Sequence, residues 1–203
     1  MSRRILALIA ILAVALAILT GLAVRRGLLG PQTASVVIGG PFQLIDTSGR
    51  TVGQDVLKGK WSVVFFGFTR CPDICPTTLF ELAQVEPLLG PAARDFQTVL
   101  ISVDPDRDTV AQMKAYVAND AFPKRLVGLT GSAAQIDAAA KAYRVYYQKV
   151  GAGADYQVNH AAYSYLMTPK GRFACVLSYE LTPEQTAAKI RVAMKLGDRA
   201  ESC

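Results

Sequence analysis

An α/β fold is predicted, a central mixed β-sheet flanked by helices and preceded by one N-terminal transmembrane helix. Three observations predict it. Residues 5–24, ILALIAILAVALAILTGLAV, carry no charge. Downstream, apolar strand-like runs alternate with helix-period stretches, the pattern of parallel βαβ units. The last third of the chain then holds two β-rich runs joined at a glycine turn and followed by an amphipathic stretch, which predicts an antiparallel hairpin and a terminal helix. Parallel βαβ units followed by a hairpin and a helix form the thioredoxin-like order.

A bilayer core about 30 Å thick takes roughly 20 apolar residues of helix, and the run 5–24 has that length between Arg3, Arg4 and Arg25, Arg26. A cleaved signal has an apolar region of about 7 to 15 residues ending in a small-x-small site. Ala15 and Ala17 mimic such a site, but the length reads as an anchor. The arginine pairs balance, and the terminal amine tips the charge toward residues 1–4 in the cytoplasm with the C-terminal domain exported. Residues 25–40, RRGLLGPQTASVVIGG, lack helical periodicity and read as a tether. The domain is expected over 41–198, with 199–203 as a tail.

The formal charge of +6 includes those four arginines, which leaves +2 for the rest of the 203-residue chain. The remaining basic residues are interspersed with acidic ones and form no stripe, so nucleic acid is excluded as a partner.

Along the domain, FQLID and the turn TSGR predict a short hairpin arm. WSVVFFGF at 61–68 is a β-branched and aromatic run expected to be buried on both faces. After TRCPDICP, the stretch TTLFELAQVEPLL repeats Leu79, Leu82, Val85 and Leu89 at helical spacing. FQTVLISV at 96–103, the loop DPDRDT and TVAQMKAYVAND form a second βα unit, with Thr109 or Asp108 as helix N-cap. A helix near SAAQIDAAAKAY follows, then strands YRVYYQKV, AYSYLMT and RFACVLSY, with a turn at Thr168 to Gly171. The last helix, TPEQTAAKIRVAMKL, opens on a capping-box pattern at Thr182 and Gln185.

Cys71 and Cys75 fall where a strand hands over to a helix, in a loop stiffened by Pro72 and Pro76. Two thiols this close can form a static disulfide, act as a redox pair or bind a soft metal. A following helix N-terminus favours their thiolates. His160 is the only histidine, and the predicted order brings it near the cysteine loop at the C-terminal end of the sheet. Two thiolates and an imidazole suit copper. Zinc accepts the same donors, although a structural zinc site takes four protein ligands and no fourth is spaced for it.

The stretches GKWSVVFFGFTRCPDICPTTL, ISVDPDRDT and VNHAAYSYLMTPKGRF, spanning Gly59 to Phe173, resemble the Sco/SenC family of copper chaperones for cytochrome c oxidase assembly. The resemblance implies a thioredoxin-like fold and copper, as Cu(I) or Cu(II), held by Cys71, Cys75 and His160. It implies delivery to the dinuclear copper site of the oxidase, whose copper-site subunit is then the partner. Other copper chaperones or thiol-disulfide oxidoreductases are further partners on this view. It also places the chain as a single-pass protein of the bacterial inner membrane with its domain in the periplasm. The alternative is a thiol-disulfide reductase that keeps the oxidase cysteines reduced, with Cys71 and Cys75 as its redox pair. A peroxide-reducing enzyme lacks an identifiable catalytic arginine arrangement.

Asn159 stands where many relatives carry aspartate beside the histidine, and Asp73 lies between the cysteines, so both are expected to tune the site from its periphery. Asp104, Asp106 and Asp108 are read as structural loop carboxylates. Cys175 is expected on one strand face with Phe173 and Leu177. Spacing pairs Cys71 with Cys75 and leaves Cys175 and Cys203 free. Tyr143, Tyr146 and Tyr147 are read as strand packing.

Overall fold

A computed structural model describes residues 2–25, 37–153 and 155–200. The chain divides into two units, Met1–Val36 and Val37–Cys203. In the first, helix α1 spans Arg3–Arg25 with mean hydropathy 2.9 and buries none of its residues. Its length and composition suffice to cross a bilayer.

In the second unit the strands are β1 (Gln43–Asp46), β2 (Thr51–Gly53), β3 (Trp61–Gly67), β4 (Phe96–Ser102), β5 (Leu126–Thr130), β6 (Tyr147–Val150), β7 (Gln157–His160), β8 (Ser164–Met167) and β9 (Phe173–Leu177). The helices are α2 (Ile74–Leu89), α3 (Val110–Val117), α4 (Ala133–Tyr143) and α5 (Pro183–Leu196). Seven strands form one mixed sheet in the order β2-β1-β5-β4-β3-β8-β9. Strands β3, β4 and β5 run parallel, while β1, β8 and β9 join antiparallel. The thioredoxin-like class expected from the element order is the one observed.

β3 and β4 are buried at all seven positions each, as expected of central strands covered on both faces. On one face Leu82, Val85 and Leu89 of α2 meet Ala187, Ile190 and Ala193 of α5. Phe66, Met113, Ile136 and Tyr143 belong to the other core cluster. Each fully buried large side chain contributes about 1.5–3 kcal/mol of hydrophobic stabilisation. The capping box at Thr182 and Gln185 forms as predicted, and Thr109 caps α3 by accepting from the Gln112 N–H. Gly171, at φ +72°, closes the β8–β9 turn by donating to Thr168 at 2.8 Å.

Five expectations are corrected. β5 went unpredicted: it has only five residues, and Gly128 interrupts its apolar run. A Cβ at Gly128 would lie 2.8 Å from Val117 Cγ1, so close helix–sheet packing excludes a side chain there. The expected strand over 143–150 is not continuous, because Tyr143 ends α4, Arg144 turns left-handed at φ 55°, and β6 begins only at Tyr147. β6 pairs with β7 in a separate two-stranded sheet outside the main one. Of the tyrosines, Tyr143 is buried, Tyr146 is exposed, and the Tyr147 hydroxyl donates to Asp137. Finally, a register shift at Leu166 and Met167 puts Phe173 against one core and Cys175 and Leu177 in the other. Cys175 is disulfide-bonded rather than free; the expectation for Cys203 lies outside the described residues.

Candidate metal centre

The site stands at the C-terminal end of β3. After Gly67 the chain makes a tight turn in which the Cys71 N–H donates to the Phe68 carbonyl at 3.2 Å. The turn is anchored through Thr69, whose N–H (3.0 Å) and hydroxyl (2.6 Å) both donate to the buried Asp108 carboxylate. Asp108 also accepts from the Ser102 hydroxyl at 2.6 Å. α2 begins at Ile74, so Cys75 sits in its first turn and not in the loop expected for both cysteines. The helix extends back because Thr77 N–H donates to the Asp73 carbonyl at 3.1 Å. Asp73 occupies the N-cap position without a side-chain cap bond. Cys71 Sγ instead accepts the Cys75 N–H at 3.4 Å, taking one of the N–H groups a helix start leaves without an internal partner.

Cys75 is fully buried and Cys71 partly exposed, and both are free thiols. Close approach of Cys75 to the sheet requires Gly67, where a Cβ would stand 2.8 Å from Cys75 Sγ. His160, at the end of β7, presents Nε2 to Cys75 Sγ at 3.6 Å. Its Nδ1 lies 3.0 Å from the Ala161 carbonyl. A carbonyl only accepts, so Nδ1 carries the proton and Nε2 turns its lone pair to the sulfurs. Phe68 stands edge-on to the imidazole at 5.7 Å and Phe65 at 6.4 Å, walling the ring with apolar surface. The three predicted ligand atoms lie within 4.8 Å of one another.

The two thiols differ in their protonation. The hydrogen bond from the Cys75 thiol holds Cys71 down to about 4, against its desolvation, with help from the N–H groups of Cys75 and Asp73. Donation to Cys71 together with burial pushes the Cys75 thiol far up. The pair is thus one thiolate at the surface and one thiol beneath it.

The peripheral residues stand outside this cluster. Asp73 is exposed and its carboxylate accepts from Thr77 Oγ1 at 3.4 Å. From Tyr156 through β7, Tyr156, Val158 and His160 alternate with exposed Gln157 and Asn159, so Asn159 lies on the strand face opposite His160. The acidic loop is structural, as read from sequence, but its reach was missed. Asp108 holds the cysteine turn instead of capping α3. Gly67 and Thr69 were also missed; the only sequence signals for them were the glycine after FF and the threonine before the first cysteine.

A thioredoxin-like domain whose sheet end gathers two sulfurs and an imidazole nitrogen belongs to the class of thiol proteins equipped for soft-metal or disulfide chemistry. Comparison with known proteins narrows that class. The SCO1/SenC family profile matches residues 30–195, and this chain belongs to that family. It is 45% identical over 146 residues to the mitochondrial SCO1 homolog 1 of Arabidopsis thaliana, covering 71% of this chain and 43% of the plant protein. It spans 58% of the mitochondrial SCO2 homolog of Bos taurus. Among solved structures, Bradyrhizobium japonicum ScoI with copper bound is 45% identical, with TM-score 0.69, covering 76% of this chain and 98% of that one. BsSco, a member of the Sco family of cytochrome c oxidase assembly proteins with a disulfide switch, is 26% identical with TM-score 0.58, covering 79% and 95%.

Proposed function

We propose that this chain is a membrane-anchored copper carrier that holds one copper ion on Cys71, Cys75 and His160 and passes it to the copper-site subunit of cytochrome c oxidase. The observation that carries the reading is the convergence of two sulfurs and Nε2 within 4.8 Å at one end of the sheet. These are soft donors that fit copper. No fourth His, Cys or acidic ligand joins them among the described residues, which disfavours a structural zinc site. Copper is cargo here. The partly exposed Cys71 is the ligand that a recipient thiolate reaches first, and stepwise ligand exchange then frees Cys75 and His160. α1 anchors the protein in the bacterial inner membrane by a single pass, with residues 1–4 in the cytoplasm and the domain in the periplasm. Asp73, exposed between the cysteines, and Asn159, exposed on the far face of β7, would serve as contacts for the recipient or a donor chaperone.

A second reading, thiol-disulfide reduction of the oxidase cysteines, is favoured by the split between the two thiols. The Cys71 thiolate attacks one sulfur of the partner disulfide, breaking its S–S bond and expelling the other sulfur as a thiolate. Cys75, losing its proton to solvent, then attacks Cys71 Sγ and expels the second partner thiolate. The partner gains two electrons, and this chain becomes the Cys71–Cys75 disulfide.

His160→Ala separates the readings. The carrier reading expects one copper per chain, lost in Cys71→Ser and Cys75→Ser and weakened in His160→Ala while thiol exchange persists. Unchanged copper affinity in His160→Ala defeats the three-ligand site, and oxidase assembly sustained by that variant in cells favours the reductase.

A further inference from the structure

We propose that Arg107 is the positioning residue for His160, and that the 104–108 loop is thereby a single mount for both halves of the site. The proposal builds on the reading of Cys71, Cys75 and His160 as a metal centre, but its geometry is that of the metal-free chain.

His160 needs such a mount because β6 and β7 form a two-stranded sheet outside the seven-stranded one. No sheet ladder therefore ties the imidazole to the cysteine side of the site. The hairpin instead meets the domain through side-chain contacts: Val158 in the core, Tyr147 on Asp137 of α4, and Tyr156, just before β7. The Tyr156 hydroxyl donates to Asp104, and its carbonyl accepts from Arg107 Nη1 at 3.0 Å. The Arg107 guanidinium lies 3.8 Å from the centre of the Tyr156 ring, and Lys149 Nζ of β6 lies 3.7 Å from it. Arg107 Nε pairs with Asp104 Oδ2 at 2.5 Å, both side chains largely buried. The same guanidinium lies 5.9 Å from the Phe68 ring, which stands edge-on to His160. An exposed pair, Lys149 with Asp106 at 2.9 Å, adds a third tie between hairpin and loop.

The other end of this five-residue loop is Asp108, which holds the cysteine turn through Thr69. One end therefore seats the imidazole and the other the sulfurs. The energetics support a geometric role. A buried ion pair recovers little more than its desolvation cost, so Asp104–Arg107 is a poor source of net stability. What the planar guanidinium supplies is direction: it is fixed at once by a carboxylate, a carbonyl and an aromatic face. Partners that orient a ligand histidine set metal affinity by about 10- to 100-fold.

The test uses the full-length chain in detergent. In the reduced, metal-free protein, imidazole nitrogen NMR reads whether His160 keeps its proton on Nδ1. With one equivalent of Cu(II), electron paramagnetic resonance reads nitrogen coupling from His160, and absorption reads the sulfur-to-copper band. Arg107→Met is expected to average the two tautomers, abolish the nitrogen coupling while retaining the sulfur band, and weaken copper binding by about 10- to 100-fold. Combined with His160→Ala it is expected to add no further loss, and Arg107→Lys is expected to restore part of the signal. A folded Arg107→Met protein with the parental imidazole spectrum and nitrogen coupling overturns the proposal. Should Arg107→Met fail to fold, Tyr156→Leu, which keeps the Asp104–Arg107 pair, decides, and an unchanged imidazole spectrum there overturns it equally. Failure of the parent chain to bind copper would defeat the metal reading, while the metal-free imidazole comparison still judges the mount.

Discussion

Gly67→Ala tests the claim that the Cys75 sulfur is held by close packing against the sheet. The position is buried at the end of β3, and its φ lies outside the left-handed region, so alanine meets no backbone obstacle. The obstacle is space. The new methyl would stand 2.8 Å from Cys75 Sγ, 2.9 Å from Phe65 Cζ and 3.0 Å from Phe65 Cε1. Carbon contacts settle near about 3.5–4.0 Å, so the sulfur or the ring must give way by roughly 0.7 Å. Phe65 is fully buried in the core and cannot retreat freely, and Cys75 Sγ is only 3.6 Å from His160 Nε2. A functional constellation tolerates displacements of about 0.5 Å, so the sulfur is expected to leave ligand geometry. Overpacking of this kind costs about 1–3 kcal/mol of stability, and copper affinity is expected to fall by about tenfold or more. Urea denaturation measures the first and competition against a copper chelator the second, both on the full-length chain. Parental copper affinity in a folded Gly67→Ala protein would refute the reasoning, because it would mean that the sulfur's position against β3 is immaterial.

Other outcomes follow from the same geometry. Alkylation of Cys71 by iodoacetamide is expected to stay nearly constant from about pH 5.5 to 8, since the thiol is held down to about 4, whereas an ordinary thiol gains about tenfold per pH unit over that range. Because the folded value lies below the ordinary 9.0, the reduced protein gains stability as pH rises from about 4 to 9 and loses it on acidification, which pH-dependent urea midpoints read directly. Thr182→Ala removes the capping box of α5 and is expected to cost about 1 kcal/mol in the same denaturation assay. Tyr143→Phe deletes a buried hydroxyl that has no hydrogen-bond partner among the described residues, so it is expected to leave stability unchanged or raise it by up to about 1 kcal/mol.

The parts legible in the sequence are those whose physics is local. The seven buried residues of β3 announce themselves as a β-branched and aromatic run in which only Ser62 is polar, and Leu79, Leu82, Val85 and Leu89 give the α2 core face by spacing alone. Thr182 with Gln185 is a cap readable from four residues. What escaped depends on contacts between distant segments. Gly128 hides β5 because the reason for a glycine there is Val117 on another element. Asp108 reads as a cap candidate beside Thr109, and only the fold brings Thr69, 39 residues away, onto its carboxylate. The three candidate ligands, which the fold brings within 4.8 Å of one another, stand out in the sequence because their chemistry is rare, whereas the residues that aim them are ordinary in type.

The two halves of the site share the 104–108 loop but are held by bonds of different kinds, which also explains why carrier and reductase readings share one geometry. Cys71 and Cys75 are joined to the sheet and α2 by backbone hydrogen bonds, and the hydrogen bond between the thiols operates without the histidine. His160 arrives on a hairpin tied to the domain by side-chain contacts and a few core residues such as Val158. Motion of that hairpin would withdraw an imidazole ligand while leaving the dithiol intact. Loss of one ligand of three is what transfer of a soft ion requires, and an intact dithiol is what disulfide exchange requires. Hence weakening the hairpin's mount should bias the protein from holding copper toward exchanging thiols. Rigid fixation of the hairpin should do the reverse, and the ratio of copper retention to thiol exchange across variants of Arg107 and Tyr156 is the quantity that follows.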